Sequence, residues 1–600
     1  MMLFLLCTLL AFFSQALAIW PAPVSMSTGN SVLWITSDVK VTYNGRSVWW
    51  IPFSDNFSNS QTEQFLGVQS SSIGYGSGGA LSSQSIVQQA ITRTLDTLFK
   101  SSLIPWKLVA RHELAKFEPA VNSNSGVSIK VITIIQTGKD NSTSYKPLDG
   151  ELDESYNLTI STNGDARITA VSAVGILHAL ETFTQLFYLH SSGNGLYTNM
   201  APVAISDAPK FAHRGMNLDV ARNWYPVQDI KRTIDALAMN KFNRMHIHIT
   251  DSQSWPIEIP ALPELAAKGA YQTGLSYSPK DIQDIQIYGI LRGIEIFLEF
   301  DMPGHTTAIS LAYPNLIAAA NAHPWDTYCA EPPCGSLKLN EPAVDQFLDT
   351  LWNDLLPRIS PYSSYFHTGG DEVNTNTYLL DPTVKSSDKA VIGPLIQKLV
   401  DRNHAALRKN GLTPIVWEEM LLVWNLTLGS DVIVQAWQSD ENVALITGQG
   451  HKVLAGNYNS WYLDCGKGQW LDFDNGASFK QFYPFNDYCS PFKNWRLVYA
   501  YDPLAGVPAA EQHLVLGGEV HMWSEQTDPV NLDGAVWPRA SAAGEVLWSG
   551  RQDASGQNRS QITASPRLAE MRERMVLRGI QAGPVQMVFC TQNNATECSL

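Results

Sequence analysis

Residues 293–305, GIEIFLEFDMPGH, show the repeating unit of the fold: a short apolar strand runs directly into Asp301 and His305. The same pattern, an apolar strand followed by polar or aromatic residues, recurs between residues 206 and 555, with helical stretches in between. Eight such alternations are typical of an α/β fold, the (β/α)8 TIM barrel. The predicted strands lie in FAHRGMNLD, NRMHIHIT, GIEIFLEFD, YFHTGGDE, TPIVWEE, VIVQAW, KVLAGNY and HLVLGGEV.

The sharpest motif of the chain, HTGGDEV, occupies residues 367–373 at the end of the fourth strand. A TIM barrel builds its active site at the carboxyl ends of its strands, so Asp371 and Glu372 belong to the predicted active face. Two ionised neighbours repel each other, which raises the pKa of one and makes it a proton donor near neutral pH. The alternative is that the two acids only cap the positive end of a following helix.

The other strand ends add carboxylates, one arginine, one histidine and four aromatic side chains to the same face. Each of these residues alone is explained as well by a helix cap, a structural ion pair or a core aromatic ring. Together they suit a sugar, because carboxylates and arginine bind hydroxyl groups while flat rings cover the C–H faces. The residues concerned are Arg222, Asp251, Asp301, His305, Trp417, Glu418, Trp437, Tyr462, Asp464, Glu519, Trp523 and Glu525.

The motifs at these strand ends resemble those of the β-N-acetylhexosaminidases of glycoside hydrolase family 20. The resemblance covers about residues 211–550, in the family's order, and extends to the small α+β domain that precedes the family's barrel. It implies an enzyme that removes terminal non-reducing N-acetylglucosamine or N-acetylgalactosamine from chitooligosaccharides and glycoconjugates, without a cofactor. The resembling stretches are HRGMNLDVARNWYP, MHIHITDSQSWP, EFDMPGH, HTGGDEV, VWEEM, SWYLD and GGEVHMWSE.

The resemblance also implies substrate-assisted catalysis with net retention. Ordinary retaining glycosidases flank the scissile bond with two carboxyl groups about 5–5.5 Å apart, whereas this family uses the substrate's own 2-acetamido oxygen as the nucleophile. Glu372 would protonate the leaving oxygen and then activate water, Asp371 would orient the acetamido N–H, and Tyr462 would donate to the acetamido oxygen. The implied sugar-binding residues are Arg222, Trp417, Trp437, Asp464, Trp523 and Glu525, and those implied to position the acidic pair are His248, Asp251, Asp301 and His305.

Two other classes of function compete with this interpretation. His246-x-His248 at a strand end also matches the first metal motif of amidohydrolase-type barrel enzymes, which would hold a water-activating divalent metal with Asp301 and His305. That class needs a lysine or further histidines at later strand ends, which the predicted ends lack, so we expect no metal. The other alternative is a non-catalytic sugar-binding barrel, which the intact acidic pair disfavours.

Composition and charge exclude some partners and indicate export. The 600 residues carry a formal charge of −15, and this acidity argues against nucleic acid as a partner. Residues 1–18, MMLFLLCTLLAFFSQALA, resemble a signal peptide, and no later segment is long and apolar enough for a membrane span. We therefore expect a secreted glycoprotein with sequons at Asn56, Asn141, Asn157, Asn425, Asn558 and Asn594.

The cysteines that follow the predicted signal peptide lie in three couples that are close in sequence. Short loops close at the lowest entropic cost, which favours pairing within each couple. Zinc binding is the alternative, although no CxxC or close Cys/His cluster supports it. The pairing that we predict is Cys329–Cys334, Cys465–Cys489 and Cys590–Cys598.

The remaining segments complete the predicted domain organisation. Residues 19–100, with a Gly/Ser-rich stretch at 67–86, resemble the propeptide segment of secreted fungal family members. Residues 101–205 are predicted to form the small α+β domain and residues 206–555 the catalytic barrel. Residues 556–600 are an arginine-rich helix, whose charges we expect to face solvent, and a disulfide-bonded tail. The resemblance further implies a homodimer that can retain its cleaved propeptide.

Overall fold

The chain folds around two large hydrophobic cores, one for a small N-terminal domain and one for a barrel. The computed structural model describes residues 19–48, 81–110, 112–120, 126–193, 195–471, 486–592 and 598. The strands of the small domain are β1 (Ser25–Tyr43), β2 (Arg46–Val48), β3 (Val127–Gln136), β4 (Tyr156–Ile160), β5 (Asp165–Ala170), β6 (Tyr188–Leu189) and β7 (Leu196–Asp207). They form one sheet in the order β2-β1-β3-β5-β4-β7-β6, and β1 also pairs with β7.

Strand β1 sets the start of the small domain. It runs parallel to β3 and antiparallel to β7, and its apolar residues belong to the same core as the helix Ser83–Lys100. The small domain therefore begins near residue 19 and not at the predicted residue 101. A cleavage within residues 19–100 would leave this sheet intact only if the cleaved segment stayed bound.

The second domain is a closed barrel of eight parallel strands, which confirms the predicted fold. Each predicted strand motif overlaps one barrel strand, and the two short strands β11 and β12 pair with each other between the third and fourth barrel strands. The strands of this part of the chain are β8 (His213–Asp219), β9 (Arg244–Thr250), β10 (Glu295–Phe300), β11 (Ile317–Ala318), β12 (Ser336–Leu337), β13 (Tyr365–His367), β14 (Thr413–Trp417), β15 (Ile433–Ala436), β16 (Lys452–Ala455) and β17 (Val515–Met522). Every residue of β8, β9 and β10 is buried, as expected where helices cover a parallel sheet.

The helices begin at local sequence signals. The helix Pro279–Ile290, for example, has Pro279 at its first position and Ser278 as its N-cap, whose hydroxyl accepts the N–H of Asp281. The described helices are α1 (Ser83–Lys100), α2 (Leu114–Phe117), α3 (Ala173–Gln185), α4 (Val227–Met239), α5 (Glu264–Gly269), α6 (Pro279–Ile290), α7 (Pro342–Ile359), α8 (Lys389–Lys409), α9 (Glu419–Leu422), α10 (Asp440–Gly448), α11 (Trp495–Ala500), α12 (Leu532–Val536), α13 (Arg539–Ser549), α14 (Gln561–Leu577) and α15 (Val588–Gln592).

The arginines of α14 do not form a solvated face, so that expectation is wrong. Arg574 pairs with Glu570 and donates to the backbone carbonyls of residues 184, 185 and 187, at the end of α3. Arg567 pairs with Glu545 on α13, whose side chain is fully buried. The guanidinium groups face inward because they satisfy carbonyls and carboxylates at the junction of the two domains.

The three predicted disulfides are confirmed, so their cysteines are not zinc ligands: Cys329–Cys334, Cys465–Cys489 and Cys590–Cys598. The predicted signal peptide and two sequons, Asn56 and Asn594, lie outside the described residues. No helix in the described part of the chain combines the length and apolar character that a membrane crossing requires. Glycosylation stays a prediction at the other four sequon asparagines, whose side chains are exposed: Asn141, Asn157, Asn425 and Asn558.

Candidate active site

The turn after β13 places the acidic pair. Gly369 and Gly370 have φ angles of +68° and +109°, and Glu372 itself has a φ of +51°. A Cβ at Gly369 would lie 1.9 Å from Oδ1 of Asp301, so only glycine fits at this position. The next helical turn is capped by Asn374, so the acidic pair does not cap a helix and that alternative is wrong.

Asp371 is buried against Asp301, and the two carboxyl groups are hydrogen-bonded to each other. Burial, followed by the charge of Asp371, raises the pKa of Asp301 well above its usual range, and burial also raises the pKa of Asp371. Burial and mutual repulsion therefore favour the protonated form of one acid of this pair. Oδ1 of Asp371 is buried and has no hydrogen-bond partner among the described residues, which leaves one acceptor for a ligand.

Glu372 is more accessible than its neighbour Asp371, with 34% of its side chain exposed. Its Oε2 lies 3.4 Å from Nε2 of His305, and Nδ1 of His305 lies 3.1 Å from Oδ1 of Asp251. Burial opposes the charged form of His305, but the carboxylates of Asp251 and Asp301 raise its pKa well above the usual range. A cationic imidazole thus faces Glu372, which can exchange protons with the open pocket.

Asp251 connects His305 to the barrel wall. Its Oδ2 lies 2.6 Å from Nε2 of His248 and 2.9 Å from Nη1 of Arg222. Burial alone would raise the pKa of Asp251, but the charges of Arg222 and His305 hold it well below its usual range. The structure thus brings together the four residues predicted to position the acidic pair: His248, Asp251, Asp301 and His305.

Aromatic rings form one wall of the pocket. Tyr462 stacks on Trp437 with ring centroids 6.1 Å apart and an interplanar angle of 14°, and Trp523 lies 6.2 Å from Tyr462. Trp417 contacts Trp523 but is only 1% exposed, and its indole N–H donates to Glu299 at 2.7 Å. Trp417 therefore supports the wall from behind, because its polar edge is bound to the barrel interior, and the predicted lining position is corrected.

The pocket is a cavity of about 560 Å³ at the open end of the barrel. Besides the catalytic pair, its lining includes Arg222 and the acidic side chains of Glu331, Asp464 and Glu525. Burial raises the pKa of Asp464 to about 7, and it raises the pKa of Glu525 well above its usual range. Of the predicted residues, the structure places these in the lining: Arg222, His305, Asp371, Glu372, Trp437, Tyr462, Asp464, Trp523 and Glu525.

Sequence reasoning missed several residues of the pocket. Glu331 accepts from Nε of Arg222 at 3.0 Å, and its only sequence signal is its place inside the Cys329–Cys334 loop. Glu419 accepts from the indole N–H of Trp437 at 3.0 Å, next to the predicted Glu418, whose carboxylate instead accepts from Asn442. Two exposed aromatic residues of the pocket, Trp470 and Tyr488, lie between Cys465 and Cys489, in the segment that this disulfide closes.

The metal-dependent alternative requires His246 and His248 to share an ion with Asp301 and His305, and the fold does not bring these four groups to one point. Both ring nitrogens of His248 lie 2.6 Å from carboxylates, those of Glu299 and Asp251, while His246 contacts Glu519 and Glu299 in the barrel interior. In the described part of the chain, four sets of side chains lie close enough to share an ion. One contains the disulfide-bonded Cys465 and Cys489 together with Asp464. The other three are Asp251, His305 and Glu331; Asp301, His305 and Asp371; and His246, Glu299 and His367. None of these combines the predicted His246, His248, Asp301 and His305.

The open end of this parallel barrel brings together adjacent carboxylates, one cationic histidine and stacked aromatic rings. This combination is typical of the glycoside hydrolases that have a barrel fold. The model of the glycosyl hydrolase family 20 catalytic domain matches residues 211–551, and a model described as beta-acetyl hexosaminidase like matches residues 19–186. The chain therefore belongs to glycosyl hydrolase family 20, and it is a glycoside hydrolase. The second match begins at residue 19, in agreement with the place of β1 in the small domain.

Relatives and solved structures agree with this assignment. The chain is 43% identical to a beta-hexosaminidase of Arthroderma benhamiae over 97% of each chain. It is 35% identical to a chitooligosaccharidolytic beta-N-acetylglucosaminidase of Ostrinia furnacalis, over 74% of this chain and 75% of that protein. The solved GH20 β-N-acetylhexosaminidase from Streptomyces coelicolor has the same fold, with a TM-score of 0.65, 22% identity and coverage of 95% of this chain and 97% of that chain.

Proposed function

We propose that the chain removes terminal non-reducing N-acetylhexosamine residues by substrate-assisted hydrolysis. The observation that carries this proposal is the unpartnered, buried Oδ1 of Asp371 beside the accessible Glu372. A buried carboxylate oxygen without a donor is costly, and an acetamido N–H supplies that donor. A neutral 2-hydroxyl sugar lacks both the N–H and the internal nucleophile.

The reaction follows from these positions. Glu372 gives its proton to the leaving oxygen while the acetamido oxygen bonds to C1, so the glycosidic C–O bond breaks and an oxazolinium ion forms. Asp371 accepts a hydrogen bond from the acetamido nitrogen and stabilises its positive charge, and Tyr462 donates to the acetamido oxygen. Water then attacks C1 while Glu372 takes its proton as a general base, and the bond between C1 and the acetamido oxygen breaks, which restores the 2-acetamido group. The anomeric configuration is retained.

The substrate side of the proposal combines the pocket with the relatives. Arg222, Asp464 and Glu525 line the pocket and would hold the non-reducing sugar's hydroxyl groups, and Trp437 and Trp523 would cover its faces. Relatives whose names give chitooligosaccharides as their substrate support β-linked N-acetylglucosamine oligomers as one substrate class. N-acetylgalactosamine and glycoconjugates form the second class.

The setting of the enzyme belongs to the same proposal. The three disulfides support secretion, because such bonds persist in oxidising compartments. The further proposals are signal-peptide removal after residue 18, glycosylation at exposed sequons, a homodimer, and a propeptide that stays bound after cleavage.

Paired chromogenic substrates test the reaction. One carries a 2-acetamido group and the other a 2-hydroxyl group on the same sugar and aglycone. The proposal expects rapid release from the first and release at least about 10³-fold slower from the second, since the nucleophile is missing. Equal rates, or a sugar trapped covalently on a side chain, would refute it. No release from either substrate would favour a non-catalytic sugar-binding barrel.

A further inference from the structure

Beneath the pocket, the barrel interior holds a line of carboxylates and histidines in direct contact. The line begins in the small domain, where Oδ2 of Asp149 lies 3.0 Å from Nδ1 of His213 on β8. Nε2 of His213 lies 2.9 Å from Oε1 of Glu519 on β17, and Oε2 of Glu519 lies 3.0 Å from Nδ1 of His246 on β9. Three contacts therefore carry the line from the loop before β4 into the barrel.

The same line continues to the catalytic acid. Oε2 of Glu299 on β10 lies 3.0 Å from Nε2 of His246 and 2.6 Å from Nδ1 of His248. His248 contacts Asp251, which contacts His305, whose Nε2 faces Glu372. We call these eight residues the ionic row: Asp149, His213, Glu519, His246, Glu299, His248, Asp251 and His305.

The ionic row lies where a TIM barrel normally packs branched aliphatic side chains. From Asp149 to Asp251, none of its side chains is more than 1% exposed. Buried ion pairs are weak evidence for stability, because the desolvation of each charge costs several kcal/mol. A row of this kind in place of an aliphatic core points to a role at its catalytic end.

The neighbours of each member of the ionic row favour its charged form, so that negative and positive groups alternate along the row. Burial alone would raise the pKa of Glu519 and of Glu299, but neighbouring histidines hold both well below their usual range. Burial alone would lower the pKa of His246, but Glu519 and Glu299 raise it to about 9. Because the row is enclosed in a medium of low dielectric constant, a change of charge at one member acts on the others.

We propose that Asp149 and Glu519 are positioning residues for catalysis, which act through the ionic row to set the pH range over which Glu372 keeps its proton. The proposal rests on the proposed role of Glu372 as the general acid. It adds that the small domain takes part in that role, since Asp149 supplies the far end of the row. Neither residue touches the pocket.

Other elements also place groups against the ionic row, and these fix the sign of the expected effect. His367 and His521 neighbour the row, but burial lowers the pKa of both, to about 3 for His521, so neither adds a charge at neutral pH. Further neighbours in the described part of the chain are Arg244 and Tyr365 at Asp149, Gln435 at Glu519, Trp417 at Glu299, Arg222 at Asp251, and Asp301, Asp371 and Glu372 at His305.

The test is the pH profile of kcat/KM in two charge-removing variants. Glu519→Gln and Asp149→Asn each take one negative charge from the row and keep the size of the side chain. Glu372 then holds its proton less strongly, so the basic limb of the profile should move to lower pH by about 0.5 unit in Glu519→Gln. The shift should be smaller in Asp149→Asn, which is farther along the row.

Glu570→Gln is the matched control, because Glu570 is buried and paired with Arg574 but lies outside the ionic row. The proposal would be overturned if the basic limb of the pH profile stayed in place in both row variants or moved to higher pH. It would also be overturned if the basic limb moved equally far in the control. If Glu519→Gln does not fold, Asp149→Asn decides.

A second readout does not depend on activity. Nitrogen NMR of the histidine rings in the full chain should show charged imidazoles at pH 8, and Glu519→Gln should lower the pKa of His246 and His213. Histidines that are all neutral at pH 8 would overturn the ionic row. Failure of the hydrolase assay alone would leave this NMR result intact, which separates the two proposals.

Discussion

Glu299 and Glu519 in the barrel interior and Asp464 and Glu525 in the pocket are all shielded from water, yet their pKa values move in opposite directions. Each interior glutamate contacts histidines on both sides, and their charges lower its pKa below the usual range. In the pocket, burial is the largest influence, and it raises the pKa of both acids. The pKa values of the two pairs of acids therefore differ because of their charged partners and not because of how deeply they are buried.

This contrast teaches where the fold leaves room for a ligand. An acid with partners on every side is a finished part of the structure, whereas an acid with a raised pKa and a free oxygen still lacks a donor. Oδ1 of Asp371 and Oδ1 of Asp464 are both buried without a hydrogen-bond partner among the described residues. Sugar hydroxyl and acetamido groups are the donors that would complete them.

The largest effect should come from Glu372→Gln in the pocket. We expect kcat on a natural disaccharide to fall by about 10²–10⁴, since the amide cannot give a proton to the leaving oxygen. A substrate with an acidic aglycone should lose much less, because its leaving group needs no proton. Steady-state kinetics on both substrates measures this, and the melting temperature should stay near the wild-type value because the side chain is partly exposed. Near-normal turnover of the disaccharide would contradict the assignment.

A large effect of a different kind is expected from Glu299→Gln in the ionic row. Removal of this carboxylate leaves His246 and His248 without a shared partner, and breaking a buried ion pair costs about 3–5 kcal/mol of unfolding free energy. The folded-state pKa of Glu299 is depressed, so the stabilisation is present above the unfolded pKa and is lost as pH falls. Urea unfolding should therefore show the largest gap from wild type at neutral pH and a smaller gap in acid. A gap that grows in acid would oppose this account.

The sequence was enough to predict the barrel, the acidic pair and the disulfides, because each has a local signal. The eight apolar strands end in polar residues, Asp371 and Glu372 are adjacent, and each cysteine pair is close in sequence. Glu331 has no such signal, since it reaches Arg222 from a loop more than 100 residues away. Its role becomes visible only when the pocket is assembled.

The wrong or incomplete predictions involve contacts between distant segments. Arg574 meets the carbonyl of Thr184 across 390 residues, so its helix looked solvated in isolation. Likewise, β1 pairs with β3 and β7, which begin about 100 and 170 residues after it begins, and nothing in its own pattern shows that it belongs to their sheet. The ionic row is of the same kind, because alternation within a strand does not tell which residue faces His213 or Glu519 across the barrel.

The effect of opposite sign, expected at Asp464, sharpens the comparison most. Burial raises the pKa of Asp464 from 3.8 to about 7, so the folded state favours its protonated form. The stability that this group contributes is fully present below its unfolded pKa and is lost as pH rises through about 7. Asp464→Asn removes that loss, so we expect it to match wild type near pH 4 and to exceed it at pH 8 by up to about 4 kcal/mol of unfolding free energy, because a pKa raised from 3.8 to about 7 corresponds to about 1.4 kcal/mol for each pH unit. Thermal melts of the two proteins across this range, with Glu299→Gln as the variant of opposite sign, measure the difference. If Asp464→Asn were destabilised at pH 8 as Glu299→Gln should be, the acids of the pocket and of the barrel interior would be alike, and the free oxygens of the pocket would not mark a binding site.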